Sequence, residues 1–157
     1  MKKKLTQAQR RVAVAKDALK QVESEKLIAK AGTYCQFISE VPEIASESSA
    51  KFQKFLKGKG SECQACARGA LFISTVRKEN AFIPDANFLD IYKSVGRSDF
   101  DPRLERLFSK AQLDDIETAF ESPDTPEYYE ADDHDRLVLI LKNIIKNRGT
   151  FVKPTGE

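Results

Sequence analysis

The sequence has only one histidine and three cysteines, no long apolar run, and no internal repeat among its 157 residues. Each shortage excludes a class of protein. His134 stands alone, with no second imidazole and no serine or cysteine at a recognisable nucleophile elbow, so a hydrolytic triad has no support. No stretch reaches the roughly 18 apolar residues of a membrane span. The basic start Met1-Lys2-Lys3-Lys4-Leu5 is followed by no apolar core of the secretory kind. Three cysteines cannot all pair. Together these features predict a reducing, cytoplasmic setting. Lys57-Gly58-Lys59-Gly60 lacks the spacing of a phosphate-binding P-loop and reads as a turn. The acidic run after Asp124 lacks the alternating ligands and central glycine of an EF-hand loop, and Pro126 interrupts it.

What remains is ordinary globular material. Hydrophobic residues make up 41 % of the chain and charged residues 32 %, which fits a single soluble domain over 1–157. The stretch Ser61–Asn80 is the most distinctive. Ser61 and Gln64 match a capping box, and Cys63, Cys66, Ala67 and Ala70 recur at the i, i+3, i+4, i+7 spacing of one helical face. Leu71, Phe72, Ile73 and Val76 widen the apolar surface. The pattern predicts a central helix over 61–80 with a small-residue face that permits close approach of a neighbour.

Thr6 and Gln9 form another capping box, opening a first helix with Val12, Ala15, Leu19 and Val22 on one face. Gly32 is its expected stop, although the polar run Glu23–Lys26 can break it sooner. Thr33–Ile38 reads either as a short strand or as an ordered loop. Further helices are expected over about Ile44–Lys57, around Phe88–Tyr92, from the Asp101-Pro102 cap, after the Ser109/Gln112 capping box, and over Asp133–Asn147, ended by Gly149. The last of these has an apolar stripe suited to pack on the central helix. The expected architecture is therefore all-α, five to seven helices around helix 61–80, with at most one short strand.

Charge is unevenly placed. Between Ala111 and Asp135 there are ten carboxylates and no Lys or Arg, which leaves 14 acidic residues against all 26 basic ones elsewhere. The first helix carries Arg10, Arg11, Lys16, Lys20 and Lys26, but acidic residues interleave and no aromatics stand ready to stack on bases. Cys63-x-x-Cys66 lacks the βαβ context of a thioredoxin-like motif. Cys35, Cys63, Cys66 and His134 match the ligand count of a Cys₃His zinc site, yet only two of them are near in sequence. Buried thiols on a packing face are the simpler reading, because free cysteine behaves as a small hydrophobe. No metal or cofactor is therefore expected.

The Cys-x-x-Cys-Ala-x-Gly-Ala run, the Ile116-Glu117-x-Ala119-Phe120-Glu121 turn and the ending Arg136-Leu137…Asn143-Ile144-Ile145-x-Asn147-x-Gly149-Thr150-Phe151 resemble a group of small phage and prophage proteins with no assigned activity. The resemblance implies a bacterial cytoplasm and an accessory role on host or phage machinery. It assigns no catalytic residue. The expected function is non-enzymatic: binding of a protein with a basic surface, such as a nucleic-acid-binding or defence protein, through the acidic segment. Asp124, Glu127, Tyr128, Tyr129, Glu130 and Asp132 are the expected contacts, the tyrosines serving as anchors. The alternatives are a nucleic-acid-binding regulator using the basic first helix, and a small zinc-stabilised module.

Overall fold

The computed structural model describes residues 4–39, 41–79 and 104–154. Helix α1 runs Gln7–Glu23, and its capping box is complete: the Gln9 amide donates to the Thr6 hydroxyl at 3.1 Å, and the Thr6 amide donates to Gln9 Oε1 at 2.9 Å. It ends well before Gly32. Glu25 takes the left-handed conformation, φ +62°, while the Lys26 amide donates to the Gln21 carbonyl and the Glu25 amide to Val22. That is a Schellman stop with glutamate where glycine is usual. The polar run is thus the true end, and Gly32 serves instead in the turn after the next strand.

The next elements correct the all-α expectation. Strands β1 (Leu27–Ala29), β2 (Gln36–Phe37) and β3 (Cys63–Ala65) form a sheet in the order β1-β3-β2. β1 is parallel to β3, with Leu27 opposite Cys63, and β2 is antiparallel to it, with Phe37 opposite Cys63. Leu27, Cys63 and Phe37 face the core, whereas Ile28, Gln64 and Gln36 lie on the outer face. The chain is therefore predominantly helical with a small mixed sheet. Ser61 caps nothing: its hydroxyl donates to the carbonyls of Leu56 and Gly58.

Between β2 and β3, the expected helix over 44–57 is divided into a 3₁₀ turn, Glu43–Ser46, and helix α2, Ser49–Lys57, capped by Ser48. Phe52 and Phe55 of α2 meet Phe37 at ring-centroid distances of 6.5 and 5.5 Å. Helix α3, Ala67–Glu79, begins six residues later than expected. It is central nonetheless. Every residue from Ala67 to Val76 is buried, and α1, α2, the sheet and helix α4 (Lys110–Glu121) pack around it. A short helix α5 (Pro126–Tyr129) and helix α6 (Asp133–Lys146) complete the order, making six α-helices among the described residues.

Helix α6 packs chiefly along α1 and also on α4, correcting the expectation that it lies on the central helix. Its own end is a second Schellman stop, with Arg148 at φ +56° and the Gly149 amide donating to Ile144. Ser109 caps α4, but Gln112 does not complete the box. Its side chain instead donates to the Phe151 carbonyl (2.9 Å) and accepts from the Phe151 amide (2.6 Å). Asn143 does the same for Val152, so two amide side chains clamp the 151–152 segment between α4 and α6. The expectations around Phe88–Tyr92 and at the Asp101-Pro102 cap lie outside the described residues. No helix among the described residues is long and apolar enough to cross a membrane.

Candidate partner-binding site

The acidic stretch divides into carboxylates the fold consumes and carboxylates it leaves free. Buried Arg68, in the first turn of α3, binds Asp114 at 2.6 Å and Glu117 at 3.4 Å, both on α4. Glu121 at the end of α4 accepts from the Gly32 amide through both oxygens, at 3.1 and 2.9 Å, and Asp133 accepts from the Ala31 amide at 3.0 Å. These two carboxylates tether the β1–β2 turn to the acidic stretch, giving a distant segment its missing hydrogen-bond acceptors. Asp132 caps α6 by accepting from the Asp135 amide at 2.8 Å.

The carboxylates of Asp115, Asp124, Glu127, Glu130 and Asp135 are different, and of these Asp124, Glu127 and Glu130 share one connection. All three are exposed, and none has an ion-pair or hydrogen-bond partner among the described residues. They lie on the Ser122–Ala131 connection, to which, with the end of α4, Arg136 supplies three hydrogen bonds. Arg136 donates to the carbonyls of Phe120 (2.9 Å), Tyr128 (2.8 Å) and Ala131 (2.8 Å), spreading its planar fork across both ends of the connection. Sequence reasoning missed this residue. Its only signal was its place as the first cation after the ten carboxylates.

The tyrosines part company. Tyr129 is 52 % exposed among the free carboxylates, but Tyr128 is 3 % exposed and faces inward. Burial pushes the Tyr128 hydroxyl up from its ordinary pKa, a hydrogen bond with Asn143 opposes that shift, and nearby Glu127 adds to it. Tyr128 is therefore a packing residue, and its place as a surface anchor is withdrawn. Proline at the first position of α5 and the inward Tyr128 side chain explain why this connection has an ordered helical turn.

The basic face of α1 is largely occupied by the fold. Arg10 pairs with Glu79, with Nε to Oε1 at 2.8 Å, and Arg11 donates to the carbonyls of Gly149 (2.7 Å) and Leu107 (3.2 Å). Lys26 donates to Gly58 at 2.8 Å, and burial, followed by the charge of Arg77, lowers its pKa. Lys16 and Lys20 remain exposed.

The thiols and the histidine of the Cys₃His count lie in different surroundings. Cys35, Cys63 and Cys66 are free and buried, and His134 is exposed on α6. Among the described residues, no group of three or more His, Cys, Asp or Glu side chains is placed to hold a metal ion. Cys35 hydrogen-bonds to Cys63, and that bond together with burial holds the Cys35 thiol well above its usual range. Burial pushes the Cys66 thiol up to about 11, outweighing hydrogen bonds from the Gly69 and Arg68 amides at the start of α3. At pH 8 these two thiols should stay protonated and resist labelling by an aromatic disulfide reagent until the protein is unfolded. Stoichiometric reaction within minutes in the native state would contradict this.

Comparison with protein-family models, with curated proteins and with solved structures finds no match to this chain.

Proposed function

We propose that this chain is a non-enzymatic accessory protein that captures a basic macromolecular partner through the ledge of Asp124, Glu127 and Glu130, with Tyr129 as its apolar contact. The partner class that fits is a protein whose own cationic surface binds nucleic acid, and the resemblance to phage and prophage proteins supplies the setting. One observation carries the reading. The neighbouring carboxylates Asp114, Glu117, Glu121 and Asp133 are engaged by the fold, whereas these three are left unpaired on a backbone that Arg136 fixes in place.

A fixed array of like charge costs the folded state some repulsion, and its compensating use is to steer an oppositely charged partner. Direct nucleic-acid binding through α1 has less to support it, since Arg10 and Arg11 are already committed to internal acceptors. Reversing Asp124, Glu127 and Glu130 to lysine should leave the fold intact and slow capture of the partner by about tenfold or more at low salt. Asp132 is left out because its cap supports α6. The partner is isolated by capture from bacterial lysate, and association rates are then measured across a salt series. An unchanged rate in the triple variant would move the binding surface elsewhere. Salt-sensitive DNA binding by the wild-type chain would move it to α1.

A further inference from the structure

A cavity of about 10 Å³ lies where the stop of α1, the end of α2, β3 and α3 meet. Its walls are partly apolar, Leu27 and Ile73 among them, and its polar lining is Gln21, Lys26, Ser61 and Arg77. Two carbonyls gather the polar heads there. Leu56 accepts from Arg77 Nη1 at 2.6 Å and from Ser61 Oγ at 3.1 Å. Gly58 accepts from Ser61 Oγ at 3.2 Å and from Lys26 Nζ at 2.8 Å. Two cations therefore stand over one short stretch of backbone, and no carboxylate lines the cavity. Asp17 offsets Arg77, with Oδ2 2.9 Å from its Nε. Lys26 forms no ion pair among the described residues, and Glu62 and Asp17 act on it only from beyond ion-pair distance.

Gln21 supplies an independent sign that something is held. It is 6 % exposed and lies against Lys26, whose backbone amide donates to the Gln21 carbonyl. Its side-chain amide has no hydrogen-bond partner among the described residues. Unlike the sealed hydroxyls of Ser74 and Thr125, that amide is open to a neighbour of water size, and the cavity that Gln21 lines has room for one. A buried amide without a partner is costly to keep.

We infer that this cavity binds a single monatomic anion of the chloride class between Lys26, Arg77 and Gln21. The inference is independent of the ledge. Size excludes the larger anions, because room for about one water sphere does not take a tetrahedral phosphate or sulfate. The two cations in the lining exclude a bound cation. Charge also favours an anion over a water. The Lys26 ammonium is partly withdrawn from solvent, and burial, then Arg77, holds its pKa below the ordinary value. An anion relieves that crowding of positive charge, and a neutral water does not. The ammonium, the guanidinium and the Gln21 amide all retain N–H donors beyond the bonds they make, and the apolar walls strengthen the attraction.

The test compares thermal unfolding in sodium chloride and sodium methanesulfonate at equal ionic strength, the second anion being too large for the cavity. The expected result is a midpoint that rises by about 2–4 °C with chloride and levels off, with no saturable rise in methanesulfonate. Equal rises in the two salts would mean screening of surface charge and would overturn the assignment. Lys26→Met should abolish the chloride increment. Gln21→Leu should weaken the apparent affinity about tenfold, the loss of one charge-assisted hydrogen bond. That variant exchanges an unpaired buried amide for an apolar side chain of similar size, so it should fold at least as well as the parent. An undiminished chloride increment in either variant would overturn the assignment. Crystals soaked in sodium bromide read the site directly, and an anomalous peak between Lys26, Arg77 and Gln21 is expected. A water there with no bromide signal would mean that the cavity is only hydrated, and the assignment would fall.

Discussion

Replacing Gly69 by alanine should destabilise the protein by about 4 kcal/mol or more, a large share of the roughly 5–15 kcal/mol that holds a typical domain together. The expectation runs against helix propensity, which favours alanine over glycine by about 1 kcal/mol inside a helix. The opposing effect is steric. A Cβ on Gly69 would lie 1.5 Å from the Tyr34 carbonyl oxygen and 2.6 Å from its carbon. Both are backbone atoms, so no rotamer change relieves the clash. Nor is the 31–34 turn free to retreat: the Cys66 amide donates to the Thr33 carbonyl at 2.5 Å, and Glu121 and Asp133 hold Gly32 and Ala31. Chemical denaturation of the variant decides the matter by sign alone. A Gly69→Ala protein as stable as the parent or more so would mean that α3 and the turn are further apart than described.

That contact also shows what the sequence concealed. The small face expected to admit a neighbouring helix was Cys63, Cys66, Ala67 and Ala70, whereas the close approach lies at Gly69, outside that set, and its object is the turn through Tyr34. Local signals succeeded where local physics decides. The Thr6/Gln9 box and the breaking run at Glu23–Lys26 were both readable because caps and breaks depend on residues within a turn of one another. Ser61 and Gln64 carry the same short-range signature as Thr6 and Gln9, yet Cys63–Ala65 becomes the middle strand of a sheet. Its partners are Leu27–Ala29 on one side and Gln36–Phe37 on the other, both far away in sequence. Three-residue strands have no alternation long enough to read, and a parallel pairing leaves no turn signal between its strands.

The candidate site was legible to the same depth. Density of carboxylates is visible in composition, but which of them remain free depends on where Arg68 and the 31–32 amides come to lie. Tyr128 and Tyr129 are adjacent and chemically identical, and only the packing of α5 against α6 sends one inward. Asp132 looked like a contact because it sits in a connection, and it is a helix cap because that connection ends there.

The second large effect is expected at Arg136, and it joins stability to the proposed function. Arg136→Met should cost about 4–5 kcal/mol, since three carbonyls lose charge-assisted donors worth about 1.5 kcal/mol each, the lower end for a charged group. Arg136→Lys should recover only a small part of this. An ammonium can reach one or two of the acceptors, but not Phe120, Tyr128 and Ala131 together, which the guanidinium meets along separate N–H directions. The loss should be local before it is global. Amides over 127–131 should exchange at least tenfold faster in Arg136→Lys, while those of α1 and α3 keep their protection, because the lost bonds tie only the connection and the end of α4 to α6. Partner capture should weaken in the same variant although Asp124, Glu127 and Glu130 keep their charges: an array that moves holds its potential less well in register with a partner. Unchanged exchange over 127–131 would remove Arg136 as the support of the ledge. Faster exchange with undiminished capture would show that the charges act without being held, and the ledge would then be a source of long-range attraction rather than a shaped surface.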